Sequence, residues 1–139
     1  GYDCSALEGS GAAGGLGYAF RQFLGARLER GVEMVLDAIH FDDMIADADL
    51  VITGEGRVDS QTLTGKTPFG VAQRALRQGI SVIAIGGSVA IDKDQAQLAG
   101  FKDVLQVTPE GMPLQEAMKP EVAAENVYRT IKTLLKKYE

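Results

Sequence analysis

Cysteine is almost missing from this 139-residue chain: Cys4 is the only one, so no internal disulfide can form. A reducing, cytoplasmic compartment is the expectation. Histidine is equally scarce, and His40 reads as a helix-end surface residue rather than a catalyst. No stretch approaches eighteen consecutive apolar residues, which excludes a membrane-spanning helix. No signal-peptide pattern is visible. Lys and Arg gather nowhere beyond Lys136 and Lys137, and the net charge is −5. That argues against nucleic acid or an anionic membrane as partner, while leaving room for a local basic spot that holds a small anion. Internal repeats and low-complexity tracts are absent as well. Gly1 stands where a newly made chain carries methionine, so a processed or truncated product is the expectation.

What is present suits one domain. A chain of this size buries roughly 68% of the surface its unfolded form exposes, and 45% of its residues are hydrophobic. The expected division of this single α/β domain is a mainly helical leading segment over 1–46 and a parallel-sheet segment over 47–139. Leu16, Ala19, Phe20, Phe23 and Leu24 recur at helical spacing, which predicts a helix over 15–28 that stops at Gly31. "VEMVLDAI" and "FDDMIADA" predict two further helical pieces.

"DLVITG" predicts a strand bounded by Gly54, and "ISVIAIGG" a second, buried on both faces as parallel strands are. Thr67 is expected to cap the intervening helix, with Pro68 as its first position and Gly79 at its end. A helix over about 93–98 leads to a weaker third strand, "KDVLQVT", and Pro113 opens one short helix. The last helix is long, with Val127, Ile131, Leu134, Leu135 and Tyr138 as its apolar stripe. Strand, helix, strand, helix and strand in that order imply right-handed crossovers and a parallel sheet. Ligands bind such sheets at the carboxyl edge of the strands, here met by loops 54–67, 86–92 and 108–113.

The first of these loops spans about fourteen residues, well beyond the usual strand-to-helix link. Gly54, Gly56 and Gly65 are expected to let the backbone approach a ligand. The helix expected to start at Pro68 offers free N–H groups, and Lys66 stands just before it as a point charge, which together favour a phosphate or carboxylate oxygen. Glu55 and Asp59 are hard oxygen ligands suited to Mg²⁺. Asp59 alternatively accepts a proton from a hydroxyl nucleophile. Arg57 steadies phosphoryl charge or holds a substrate carboxylate. The bland alternative is a Glu–Arg–Asp ion pair with no further role.

Other motifs carry less. "TGKT" is not a Walker A loop, because the spacing needs glycine at position 60, where Ser60 stands. "GSGAAG", residues 9–14, matches G-x-G-x-x-G, but no strand precedes it, which also argues against a nicotinamide dehydrogenase. It reads as a flexible lead into a glycine-rich helix, or as a place where Gly11, Gly14, Gly15 and Gly17 allow tight packing. Gly86–Ser88 is an anion-binding turn, with Ser88 as donor, or a plain turn. Cys4 is expected in a mobile segment, and the four methionines as core or gap fillers.

"GSGAAGGLGYAF", "ADLVITGEGRVDSQTLTGKTPFGVA" and "VIAIGGSV", in that order, resemble the carboxyl-terminal part of the bacterial glycerate kinase family, the type whose product is usually 2-phosphoglycerate. The block GEGR-x-D-x-Q-x-x-x-GK-x-P, Gly54 to Pro68, is the most specific piece. The resemblance implies a Rossmann-like three-layer α/β fold, as a truncated portion of a two-domain kinase. It also implies ATP, Mg²⁺ and D-glycerate, with Glu55, Arg57, Asp59, Gln61 and Lys66 as site residues. A missing amino-terminal region becomes the expected partner. The competing expectation is a non-catalytic anion-binding or subunit-association module, able to form a homodimer through exposed apolar surface. Gly86 replaces an expected alanine, a difference expected to matter little.

Overall fold

The computed structural model describes residues 3–137. Gly1 and Tyr138, both used above, lie outside the described residues. Ten principal elements follow one another: α1 (Ala12–Leu24), α2 (Gly31–Ala38), α3 (Phe41–Met44), β1 (Leu50–Val58), α4 (Thr67–Arg77), β2 (Ser81–Val89), α5 (Lys93–Leu98), β3 (Asp103–Gln106), α6 (Leu114–Ala117) and α7 (Pro120–Leu135). The fold is α/β, a parallel three-stranded sheet in the order β1-β2-β3 with flanking helices. Sequential strand order with a constant crossover hand places α4 and α5 on the same face.

That face holds the main core. Val82 and Ala84 of β2 meet Ala72 and Ala75 of α4, Ala96 of α5, and Ala99 and Phe101 just beyond it, with Val51 and Val104 from the flanking strands alongside. Side chains alternate along a strand, so Ile83, Ile85 and Leu105 point to the opposite face. There α7 runs across the sheet, bringing Asn126, Val127, Thr130 and Leu134 toward Ile85 and Leu105. Small alanines on α4 allow the helix to sit close to the β-branched strands.

The leading helices are tied to the sheet through one side chain. Arg74 of α4 is buried, and its guanidinium donates from Nε to Glu33 Oε2 at 2.9 Å, from Nη1 to Asp42 Oδ2 at 2.8 Å, and from Nη2 to Asp37 Oδ1. Hydrogen bonds to Asp37, then Glu33 and Asp42, hold its pKa above the ordinary arginine value, so it stays charged throughout any working range. Backbone proximity reinforces this clamp, since a Cβ on Gly70 would lie 2.6 Å from Val32 Cγ2.

Several boundaries differ from expectation. β1 does not stop at Gly54 but runs to Val58, because β2 continues beside it: Glu55 pairs with Gly86, Arg57 with Ser88 and Val58 with Val89. Gly86–Ser88 is therefore strand, not turn. α1 ends at Gly25, whose φ of 64° provides the left-handed stop expected of Gly31, and Gly31 instead begins α2. Lys66, not Thr67, occupies the cap position of α4, since the Gly70 N–H bonds to the Lys66 carbonyl at 3.1 Å. Thr67 is the first helical residue and makes no capping bond.

Cys4 is fully buried rather than mobile: its N–H donates to Gln22 Oε1 at 3.0 Å and its carbonyl accepts the Ser10 hydroxyl at 2.5 Å. Gly17 alone of the four early glycines packs tightly, against the Gly9 carbonyl and Leu28; Gly11, Gly14 and Gly15 face open space. Met34, Met44 and Met118 are exposed, so they fill no gap, whereas Met112 is half-buried. His40 is an exposed helix-end residue as expected, at the start of α3. Among the described residues no helix is long and apolar enough to cross a membrane.

Phe101 is the largest fully buried side chain, and its truncation tests the core. Phe101→Ala should cost about 3–5 kcal/mol of unfolding free energy, read from the shift of the urea midpoint. A loss below about 1 kcal/mol would place the ring outside the stabilising core.

Candidate functional site

Extension of β1 and β2 past the sheet's middle changes what carries the charged residues. Glu55, Gly56 and Arg57 sit on a strand, and the connection to α4 is only residues 59–66, partly wound into a 3-10 turn over Thr62–Thr64. Glycine makes this pairing fit. A Cβ on Gly87 would lie 2.6 Å from the Gly56 carbonyl oxygen, and one on Gly54 would lie 2.7 Å from Ile85 Cγ1. Gly54 thus permits close strand approach, and Gly56 faces open space. Gly65, at φ 117°, turns the chain into α4 in a conformation other residues rarely adopt. Gly86 is not neutral toward alanine: its Cβ would lie 2.8 Å from the Ser88 carbonyl and 2.9 Å from Val58 Cγ2.

On this frame Asp59 becomes the meeting point. Arg57 Nε lies 3.4 Å from its Oδ2, and Lys66 Nζ lies 3.9 Å from its Oδ1. Oδ1 also accepts the Gln61 N–H at 3.0 Å, an Asx turn that shapes the start of the connection. Asp59 is 24% exposed, against 66% for Arg57 and 43% for Lys66. Pairs this loose and this wet contribute about 0–1 kcal/mol, so stability does not account for the gathering of charges.

Glu55 is anchored differently. Its Oε1 accepts the hydroxyl of Thr62, which in turn accepts the Asp59 N–H at 3.0 Å. Thr62 is fully buried, so one hydroxyl fixes both acidic residues relative to each other. Glu55 itself is half-buried and pairs with no cation among the described residues. Reading the sequence singled out Glu55, Arg57, Asp59 and Lys66, and the structure brings them together. It missed Thr62, because a threonine inside a connecting segment carries no signal until the strand beside it is known to continue.

The remaining expected site residues are more scattered. Gln61 contributes backbone to the turn, accepting the Thr64 hydroxyl at 2.8 Å, with its side chain exposed. Thr67 is exposed at the start of α4. Ser88 is exposed on β2 opposite Arg57, at the same carboxyl edge.

For Mg²⁺, the donor set is two carboxylates, Glu55 bonded through its side chain to the Thr62 hydroxyl and Asp59 tied to the same hydroxyl through its backbone N–H; among the described residues no group of three or more His, Cys, Asp or Glu side chains converges. That fits an ion held by one or two carboxylates and substrate phosphates, and does not fit an all-protein cage.

Comparison with known proteins places the chain among its relatives. The model of the Glycerate kinase family matches residues 1–139. A glycerate kinase of Bacillus subtilis (strain 168) is 46% identical over 127 residues, 91% of this chain and 33% of that protein. A glycerate 2-kinase of Escherichia coli (strain K12) is 40% identical over 132 residues, 95% of this chain and 34% of that protein. A crystal structure from Salmonella typhimurium LT2, whose name carries the words glycerate kinase 2, superposes with a TM-score of 0.59 at 44% identity, covering 92% of this chain and 34% of that one. The chain thus spans about a third of the length of the relatives it matches.

Thr62 is the test of this geometry. Thr62→Val keeps the shape and removes the hydroxyl, leaving the Asp59 N–H and Glu55 without their shared partner. The expected cost is about 1–3 kcal/mol in unfolding free energy, measured by urea titration. An unchanged midpoint would show that the hydroxyl does not join the two acids.

Proposed function

This chain belongs to the glycerate kinase family, and on that premise we propose that it carries the phosphoryl-transfer edge of an enzyme moving the γ-phosphoryl group of ATP to D-glycerate, giving 2-phosphoglycerate. The observation that supports this reading is the convergence of Arg57 and Lys66 on Asp59 beside Glu55, a half-buried carboxylate with no cation of its own among the described residues. A lone ion pair would need neither the second cation nor the unpaired acid.

In this reading Lys66 and the free N–H groups at the start of α4 bind phosphate oxygens, where cationic charge and the helix dipole act together. Arg57 lies against the charge that spreads over the moving phosphoryl group. Glu55 and Asp59 would hold Mg²⁺, which when bound neutralises phosphate charge. Alternatively, Asp59, oriented by Arg57 and Lys66, takes the proton of the attacking hydroxyl. Gln61 shapes the turn that presents Asp59, and Ser88 adds a hydroxyl opposite Arg57. Catalysis then rests on positioning and charge compensation, as phosphoryl transfer requires.

The exposed apolar residues of α1, with Phe23 at 76% and Leu24 at 73%, mark the flank against which the rest of such an enzyme would seat. That assigns the association expected of this chain to the same enzyme rather than to a separate binding module.

In the intact gene product, Asp59→Asn and Lys66→Ala should each lower kcat for ATP-dependent glycerate phosphorylation by about 100-fold or more. Their unfolding midpoints should stay at the wild-type value, because the ion pairs are loose. Near-normal turnover in both variants would end the reading.

A further inference from the structure

Two cavities open on the sheet face opposite α4, beside the phosphate-binding edge. One, of about 270 Å³, is walled by the bare backbone of Gly54 and Gly87 with Ile85 on the sheet, and by Ala117, Ala123 and Val127 from α6 and α7. The second, of about 530 Å³, shares Gly87, Ala117 and Ala123 and reaches Gly56, Ser88 and Met118. No lysine or arginine lines either one, while Glu55 lines the first and Glu110 the second. An anion such as glycerate gains nothing there. A neutral, flat, largely apolar group does, because glycine backbone and alanine methyls leave a slot of low relief.

A second, independent feature points the same way. Asn126 lines the first cavity and is 7% exposed, yet its carboxamide makes a single hydrogen bond among the described residues, from Nδ2 to the Met112 sulfur at 3.6 Å. A thioether is a weak acceptor, and a buried amide is ordinarily paired. A carboxamide offers one donor edge and one acceptor edge side by side, the complement of the amino and ring nitrogens of adenine.

We propose that this slot receives the adenine ring of the nucleotide, sandwiched between the Gly54–Gly87 backbone and Ala123, with Asn126 reading its edge. The inference rests on the phosphotransferase reading above and locates the base of its nucleotide. From the slot the chain of contacts is short: Gly56 and Ser88 line the wider cavity, and Arg57 lies next to Gly56 and pairs across to Ser88. A base in the slot leaves its phosphates at Arg57, Asp59 and Lys66.

The test uses the intact gene product and the ATP–glycerate reaction. Ala123→Phe, which fills the slot, should raise KM for ATP by roughly tenfold or more and leave KM for glycerate within about twofold. Ala124→Phe, one position along α7 and exposed, should change neither. Asn126→Ser should narrow the preference for ATP over GTP. On the wild type, 8-azido-ATP should photolabel a peptide within residues 106–127, a readout that survives a folding failure of the phenylalanine variant. A KM rise confined to glycerate, no change in either constant, or label confined to other segments overturns the proposal. A wild-type protein that binds and labels with 8-azido-ATP in this segment but phosphorylates no glycerate would overturn the function reading and leave the slot standing.

Discussion

Lateral pairing of two glycine-bearing strand ends governs this molecule. Residues 54–58 of β1 lie against 85–89 of β2 so closely that a single added carbon at Gly54, Gly86 or Gly87 would meet neighbouring atoms within 2.9 Å. Backbone hydrogen bonding, not side-chain packing, therefore extends the two strands beyond the core. Arg57 and Ser88 are delivered to the carboxyl edge on a rigid ladder, and only the short connection over 59–66 is left to place Asp59 and Lys66. Groups held this way lose little freedom when a ligand arrives, which is the physical content of preorganisation.

Energy and chemistry are divided between different parts of the fold. The alanine-lined contact of α4 and α5 with the sheet, completed by Phe101, supplies the apolar burial. The Arg74 cluster joins the leading helices to that body through charge-assisted bonds, all three acids coming from α2 and α3. The ion pairs of the carboxyl edge contribute little stability: they are long and wet, and Glu55 pairs with no cation among the described residues. Such an arrangement keeps charge available for a ligand instead of consuming it internally.

Much of the fold was legible in the chain. Apolar runs at "DLVIT" and "ISVIAI", the glycine stop at Gly79, and the helical stripe of the last helix located the parallel sheet and its order of elements. Composition failed where glycine had two meanings. Gly54 and Gly86 look like strand terminators, yet each lies inside a strand, because close lateral approach needs a missing side chain as much as a turn does. Gly25 and Gly31 were confused for the related reason that only φ distinguishes a helix stop from a helix start. The four charged residues of the site were visible as a cluster of unlike types next to a β-branched run. Thr62 and Asn126 were not, since each draws its importance from what is buried around it. Cys4 was misplaced in a mobile stretch because a glycine-rich neighbourhood hides the Gln22 and Ser10 contacts that enclose it.

The ladder of glycines also separates what can vary from what cannot. Gly54, Gly86 and Gly87 admit no larger residue here without a shift of neighbouring atoms. Arg57 and Ser88, on the same two strands, project into solvent, and their exchange disturbs no packing. Evolution working on this edge can therefore retune its chemistry residue by residue while inheriting the scaffold unchanged.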